Sequence, residues 1–348
     1  MTSLDDVAAL RAGDPSGMLA ACGGLAADLR AGFRAGLAAG AEPRRADAVL
    51  VCGMGGSAVS GDVARVVAAG RFPMPVAVAR AADVPAWATK DTLVIASSYS
   101  GDTAETNAAF DAALARGCRV VVVTAGGRLA TRADDLSLPR AGVPGGMQPR
   151  AALGHLAGAA LGLLMTTGAF PDVSGEIEEA AEVVGSLAAT LAPGSPTSVN
   201  PAKRLAETIG DRIPVIWGSD GVAGVGAYRW RTQWNENAKS PAFSSEMSEL
   251  DHNEIVGWHD DRGRRFAIVA LRTEGERADL PARFAFTADV ARASGAIVEE
   301  VWASGEGPLA RLLSLVTVGD HASTYSGILR GIDPTPVDAI TRLKESLR

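Results

Sequence analysis

Residues 46–60 read ADAVLVCGMGGSAVS, and this stretch decides the fold class. A short apolar run ends at Cys52, and glycines follow it at once. Glycine accommodates the tight turn that takes a strand directly into a helix. A run this apolar is typical of a strand buried on both faces, as in a parallel sheet covered by helices. The stretch therefore predicts an α/β fold that begins near residue 46.

The same pattern recurs along both halves of the chain. Short apolar runs predict strands at residues 75–79, 92–96 and 119–124, and later at 213–217, 266–271 and 296–302. Helical segments such as 103–116 lie between them. Strands that alternate with helices indicate parallel sheets. We predict two α/β subdomains, each a parallel sheet flanked by helices.

The composition divides the chain into four parts. Residues 1–45 predict two N-terminal helices, and residues 46–191 form the first predicted subdomain. Residues 192–202 (APGSPTSVNPA) are rich in proline and serine and predict a linker. Residues 203–348 form the second subdomain, with a C-terminal helix. Both halves begin alike, with VLVCGMGGSA and PVIWGSDGVAG, which indicates a diverged internal repeat.

The bulk composition excludes several classes of protein. The net charge of −7 and the absence of a basic stripe argue against a nucleic-acid partner. The apolar stretch at 151–167 is interrupted by His155 and glycines, so it predicts a buried helix and not a membrane span. The 3 cysteines form no CxxC pair and the N-terminus has no signal-peptide pattern. These features predict a cytoplasmic protein.

Two loops carry groups that suit phosphate. Residues 53–58 (GMGGSA) join a strand to a helix, where glycines allow close approach and helix N-terminal amides favour an anion. Residues 97–103 (SSYSGDT) follow the strand predicted at 92–96 and lead into the next helix. Their hydroxyls can donate to phosphate oxygens. Ligands of open α/β sheets bind outside the carboxyl ends of the strands. The loops therefore predict a site for a phosphate monoester.

Each loop also has a simpler interpretation. The pattern at 53–58 fits a dinucleotide fingerprint, or a tight turn without a ligand. A dinucleotide site needs an acidic residue at the end of the following strand, which here ends in Arg80. In the second loop, a hydroxyl or acid at 100–103 could serve only to cap a helix. Capping would account for one of these groups and not for all of them.

Together with these loops, four downstream segments identify a family. GMGGSAVSGD and SSYSGDTAET resemble the sugar isomerase (SIS) domain. MQPRAALGHL, WNENAKSPAF, ELDHNEIVGW and DPTPVDAITRLKESL resemble the bifunctional phosphoglucose/phosphomannose isomerases, in the right order over residues 45–348. The resemblance implies two SIS-type subdomains and a hexose 6-phosphate substrate. It also implies a homodimer with a shared active site.

The resemblance assigns roles to individual residues. Arg150 matches the arginine beside the reacting carbons, and Glu236 matches the base that moves a proton between C1 and C2. His252 matches the histidine of ring opening, which the partner subunit supplies, and Lys344 matches a lysine near the ring oxygen. The positions that match the phosphate loops are Gly55, Gly56, Ser57, Ser98, Ser100 and Thr103.

The implied chemistry suits these residue types. Aldose–ketose isomerisation needs a carboxylate base, a fixed cation beside the enediolate and an acid–base group for ring opening. Glutamate, arginine and histidine supply these functions. The sequence has no HxH, HExxH or CxxC spacing, so we expect neither a metal nor a cofactor. The proton transfer through a cis-enediolate requires none.

Two positions depart from the family pattern, and rival functions stay open. Asp102 and Asp251 each stand where asparagine is usual. An acid at 102 could repel the phosphate or cap a helix, and an acid at 251 could raise the pKa of His252 if the side chains meet. The alternatives to a glucose or mannose 6-phosphate isomerase are an isomerase of another phosphosugar and a non-catalytic sugar-phosphate sensor. A dinucleotide-dependent oxidoreductase fits least.

Overall fold

The computed structural model describes residues 3–346. The chain forms two compact units. The first-sheet unit consists of residues 24–185 and 305–311, and the second-sheet unit consists of the described residues of 1–23, 186–304 and 312–348. Each unit contains one parallel sheet. The predicted subdomain limits, including the linker at 192–202, stay a prediction.

The strands confirm the predicted α/β alternation. In chain order they are β1 (Ala48–Cys52), β2 (Val76–Ala79), β3 (Thr92–Ser98), β4 (Arg119–Thr124), β5 (Arg140–Gly142), β6 (Ile213–Ser219), β7 (Phe243–Met247), β8 (Phe266–Arg272) and β9 (Ile297–Trp302). The sequence did not predict β5 or β7. The three residues of β5 are too short to form a pattern, and β7 has the polar sequence FSSEM.

Helices surround both sheets. They are α1 (Val7–Gly13), α2 (Met18–Gly23), α3 (Leu25–Leu37), α4 (Gly55–Ala68), α5 (Ala104–Ala115), α6 (Gly127–Asp135), α7 (Leu153–Thr166), α8 (Ser174–Leu191), α9 (Pro201–Ile209), α10 (Val222–Asn237), α11 (Leu280–Ala293), α12 (Pro308–Leu329) and α13 (Asp338–Ser346). Short 3₁₀ turns lie at Glu249–His252, Glu254–Gly257 and Arg262–Arg265. The prediction of two helices before residue 45 was wrong. Three are present, because the second predicted helix is divided at Gly24, a residue of low helix propensity.

The first sheet has the strand order β2-β1-β3-β4-β5, and every adjacent pair is parallel. All residues of β1 and β3 are buried, as their apolar sequences predict. Cys52 at the end of β1 pairs with Ala96 near the end of β3. Parallel neighbours end at the same edge of a sheet, so the loops that follow β1 and β3 lie side by side.

Close helix packing accounts for part of the glycine content of the first-sheet unit. A β-carbon on Gly32 of α3 would lie 2.2 Å from the carbonyl oxygen of His155, and one on Gly158 of α7 would lie 2.3 Å from the carbonyl oxygen of Leu29. The two helices thus pack backbone against backbone. This contact confirms that residues 151–167 contain a buried helix. None of the helices within residues 3–346 has the length and apolar character needed to cross a membrane.

The second sheet has the order β7-β6-β8-β9, again parallel throughout. One apolar cluster packs Trp217 of β6 with Met247, Leu250 and Phe284. A larger cluster contains Trp230 and other side chains of α9, α10 and α12. The two parallel sheets flanked by helices confirm the predicted fold class.

Candidate active site

The two expected phosphate loops meet at one hydrogen bond. Gly55 begins α4 with a φ of 52°, a left-handed conformation that favours glycine. Two residues later, the buried Ser57 Oγ accepts a hydrogen bond of 3.1 Å from the backbone N–H of Tyr99 in the second loop. A hydroxyl that accepts this bond can still donate its own proton. The strand order of the first sheet thus brings both loops to one place.

Three hydroxyls of the second loop, those of Ser98, Ser100 and Thr103, form hydrogen bonds within the loop. Ser98 Oγ donates to Thr103 Oγ1 over 3.0 Å and accepts from the N–H of Gly101 over 3.1 Å. Ser100 Oγ accepts from the N–H of Asp102 over 3.2 Å. Thr103 occupies the N-cap position of α5, but its side chain makes no capping bond. Helix capping therefore does not explain the hydroxyls of this loop.

Asp102 caps a different helix from the one that follows its loop. Its Oδ1 accepts a hydrogen bond of 2.9 Å from the N–H of Arg128 in the first turn of α6. A carboxylate in this position is favoured by the free amides and the dipole of the helix N-terminus. Of the two effects considered for this acid, the structure shows the helix-capping contact.

Arg150 lies against the first of the two expected phosphate loops. A β-carbon on Gly56 would lie 2.9 Å from the carbonyl oxygen of Pro149 and 3.5 Å from the α-carbon of Arg150. The Arg150 side chain is 2% exposed, and one of its contacts is a hydrogen bond of 3.4 Å from Nη1 to Gln148 Oε1. Gly56 therefore allows the chain that carries Arg150 to approach the start of α4 closely.

The end of β2 lacks the acid that a dinucleotide site needs. Arg80 follows β2 and forms an ion pair with the buried Asp62 of α4. Burial raises the pKa of the Asp62 carboxyl, while the charge of Arg80 opposes that rise. Burial also raises the pKa of the Cys52 thiol to about 12, so this cysteine beside the loop is not a thiolate nucleophile at neutral pH.

Glu236 lies in the second-sheet unit, near the end of α10. The residue is half-buried and lines a cavity of about 460 Å³. The cavity lies between the end of α10 and the chain at 332–340, and Lys239 also lines it. Lys239 Nζ donates to the carbonyl oxygens of Glu236 (2.5 Å) and Pro334 (2.8 Å). These bonds join the end of α10 to the segment before α13.

His252 and Lys344 are exposed in the second-sheet unit. His252 ends the 3₁₀ turn Glu249–His252, and Lys344 lies on α13, a helix with no buried residue. Within residues 3–346, neither is among the residues that line the cavity at Glu236. Asp251 does not pair with His252, because its carboxylate binds Thr287 and Arg283 of α11.

Three residues of these loops and helices escaped the sequence reasoning. Tyr99 Oη donates to the carbonyl oxygen of Pro144 (3.0 Å) and accepts from the N–H of Met147 (2.9 Å), so it fixes the chain before Arg150. Asn107 Nδ2 donates to the carbonyl oxygens of Gly101 and Thr103 in the second expected phosphate loop. Lys239 is the third. Only Asn107 offered a signal, since asparagine is unfavourable inside a helix unless its side chain has a specific partner.

The described side chains offer no cluster of metal ligands. Within residues 3–346, no group of three or more histidine, cysteine, aspartate or glutamate side chains comes close enough to hold a metal ion.

Comparisons with known proteins agree with this architecture. Residues 198–347 match the family model of the bacterial phospho-glucose isomerase C-terminal SIS domain. A glucose-6-phosphate isomerase like protein from Thermus thermophilus superposes with a TM-score of 0.65 at 22% identity, covering 99% of both chains.

Two curated relatives extend the match over most of the chain. The bifunctional phosphoglucose/phosphomannose isomerase of Caldicellulosiruptor bescii is 38% identical over 86% of this chain and 89% of its own length. The enzyme of the same description from Aquifex aeolicus is 33% identical over 86% of this chain and 90% of its own. This chain therefore belongs to the bifunctional phosphoglucose/phosphomannose isomerase family.

Proposed function

We propose that this protein is a phosphosugar isomerase that interconverts glucose 6-phosphate, mannose 6-phosphate or both with fructose 6-phosphate, without a metal. The observation that carries the proposal is the junction of the two phosphate loops at Ser57 and Tyr99, with Arg150 held against the same loop at Gly56. Family membership supports the same reaction. The phosphate group would bind at Gly55, Gly56, Ser57, Ser98, Ser100 and Thr103.

The proposed reaction moves one proton between adjacent carbons. Glu236 removes the proton from C2 of the open-chain aldose, which leaves a cis-enediolate. The hydroxyl proton on C2 passes to the oxygen on C1, and Glu236 returns its proton to C1 to give the ketose. A carboxylate is a suitable general base, and Glu236 is half-buried where it lines a cavity. Arg150 stabilises the negative charge of the enediolate, because a guanidinium stays protonated throughout the reaction.

Ring opening requires a second proton transfer. His252 acts as its acid–base group, and Lys344 binds near the ring oxygen. We propose a homodimer in which His252 serves the active site of the partner subunit. The exposure of His252 in the single chain supports this arrangement. The three free buried cysteines fit a reducing compartment, and we propose a cytoplasmic location.

The function is tested with fructose 6-phosphate in the presence of excess chelator. We expect glucose 6-phosphate, mannose 6-phosphate or both to accumulate, and their ratio identifies the preferred substrate. Glu236→Gln should abolish turnover while phosphosugars still raise the melting temperature. Glu299→Gln, which neutralises an exposed glutamate of the same unit, is the matched control and should keep full activity.

Each failure points to a specific alternative. Activity that the chelator abolishes would contradict metal independence. Turnover by Glu236→Gln at the wild-type rate would contradict the assigned base. Stabilisation by fructose 6-phosphate without any product would favour the sensor, and turnover of another phosphosugar would favour an isomerase of different specificity.

The shared site is tested by mixing two variants of strongly reduced activity. In a dimer with sites shared between subunits, Glu236→Gln and His252→Ala subunits combine into heterodimers that contain one intact site each. Random exchange should restore about a quarter of the wild-type activity, since half of the dimers are mixed and each has one working site of two. A mixture that gains no activity over the separate variants after subunit exchange would contradict the shared site.

A further inference from the structure

The exposed His252 lies between two anchored acids. Asp251 precedes it in the 3₁₀ turn, and Glu254 follows two residues later. Both carboxylates accept hydrogen bonds from elements outside the turn, while the imidazole itself reaches solvent. The same short segment therefore carries an exposed histidine between two acids that neighbouring elements hold in place.

Asp251 attaches the turn to α11. Its Oδ1 accepts a hydrogen bond of 2.7 Å from Thr287 Oγ1, and its Oδ2 binds Arg283 Nη1 at 3.0 Å. Thr287 is 1% exposed, so its hydroxyl bond is shielded from water. Arg283 is held in turn by Asp279 at 2.7 Å. A carboxylate here binds a hydroxyl and a cation at once, whereas asparagine could not form the ion pair.

Glu254 attaches the other side of the turn to the sheet. Its Oε1 accepts a hydrogen bond of 2.9 Å from Nε1 of Trp217. Trp217 is a fully buried residue of β6, and its indole packs edge-on against Trp258 just beyond the turn. Between the two acids and the core, Leu250 is buried in the same apolar cluster as Trp217. The segment is thus fixed at three points around His252.

We propose that Asp251 and Glu254 are positioning residues that together fix His252 in the orientation needed for ring opening. This inference rests on the proposed function. A 3₁₀ turn has weak internal hydrogen bonds and no packing of its own on its exposed side. Without the two attachments, the imidazole would sample many positions, and small displacements of a catalytic group reduce rates strongly. The carboxylate at 251 adds the ion pair to Arg283.

The first test measures the turn itself. Hydrogen–deuterium exchange of the peptide covering 249–258 should become several-fold faster in Asp251→Ala and in Glu254→Ala. Thr287→Val removes the hydroxyl donor and keeps the carboxylate, and it should also make this exchange faster. Asp289→Ala is the matched control, because it removes an exposed aspartate of the same helix and should leave this exchange unchanged. Unchanged exchange in all three test variants would overturn the inference, whether or not the protein isomerises sugars.

The second test measures kcat with glucose 6-phosphate. Asp251→Ala and Glu254→Ala should each lower kcat about 10- to 100-fold with KM within about twofold, since phosphate binding is untouched. Glu254→Gln keeps an acceptor for Trp217 and should retain most activity. In a His252→Ala background, Asp251→Ala and Glu254→Ala should lower kcat no further.

The outcomes of the second test separate the inference from the function on which it rests. A further loss in the His252→Ala background, or an unchanged kcat despite faster exchange, would show that the acids do not act through His252. An inactive wild-type protein would contradict the proposed function alone, and the exchange measurements would still decide whether the acids fix the turn.

Discussion

Neutralising Asp102 tests whether this acid stabilises the fold or weakens the binding of the substrate phosphate. Its carboxylate accepts a hydrogen bond of 2.9 Å from Arg128 N–H at the start of α6. Asp102→Asn keeps an oxygen acceptor at this point and removes the charge. A charge at a helix N-terminus contributes about 0.3–1 kcal/mol, and losing the whole cap in Asp102→Ala costs about 0.5–2 kcal/mol.

These free energies predict a small loss of stability in Asp102→Asn and a larger loss in Asp102→Ala. We expect no change in substrate binding in either variant. For a unit of this size, 1 kcal/mol corresponds to a change of about 2–4 °C in melting temperature. Asp102→Asn should therefore lower the melting temperature by about 1–4 °C, and Asp102→Ala by about 1–8 °C. The KM for glucose 6-phosphate should stay within about twofold in both variants, because the carboxylate binds α6.

The assay pairs thermal unfolding with steady-state kinetics on the same preparations. Glu105→Gln is the control, because Glu105 is an exposed acid in the first turn of α5, close to Asp102 in the chain. This variant should change neither KM nor the bond from Asp102 to α6. A several-fold fall in KM for Asp102→Asn, with an unchanged melting temperature, would refute the capping assignment and favour repulsion of the phosphate.

Three further predictions concern the phosphate loops and a buried histidine. Ser57→Ala combined with Ser100→Ala should raise KM with little change in kcat, and an unchanged KM in steady-state assays would contradict the loop assignment. Gly101→Ala should destabilise the protein by about 3 kcal/mol or more, because the new β-carbon would lie 1.8 Å from the carbonyl oxygen of Gly126 and the φ at this position is 75°. A melting temperature within roughly 2 °C of wild type, about the error of the comparison, would contradict this. Burial lowers the pKa of His321 below 6.5, so the unfolded chain takes up a proton first and stability falls as pH drops below 6.5, by at most about 1.4 kcal/mol per pH unit. Chemical unfolding of His321→Asn between pH 7.5 and 5.5 should show a shallower decline, and an identical decline would exclude this histidine as its source.

The sequence predicted the buried strands well, because each is a nearly continuous apolar run. The strands β1, β3 and β8 have this character and were found. The strand β7 was missed, since a polar strand at the edge of a sheet has no apolar pattern to distinguish it from a loop. The break at Gly24 was missed because the apolar spacing continues across it.

The two loops proposed to bind phosphate could be selected from the sequence for a local reason. Their glycines and hydroxyls lie next to each other in the chain, directly after strands, and this arrangement is visible without a structure. The roles of Tyr99 and Lys239 were not, because the partners of Tyr99 and the Pro334 carbonyl bound by Lys239 lie far away in the chain. Tyr99 binds Ser57 and Pro144, which are 42 and 45 residues distant. The strand order decides which of such pairs can form.

The sequence by itself determined the alternation of strands and helices, the two loops suited to phosphate and the family. Only the tertiary structure decided what each polar side chain binds. In the folded chain, Asp102 binds the start of α6. Asp251 and Glu254, on either side of His252, bind Thr287 and Trp217. The physical reason is that hydrogen bonds and ion pairs form over about 3 Å, and such distances between remote residues depend on register and packing. Local patterns of polarity specify burial and turns, but they do not specify the partner.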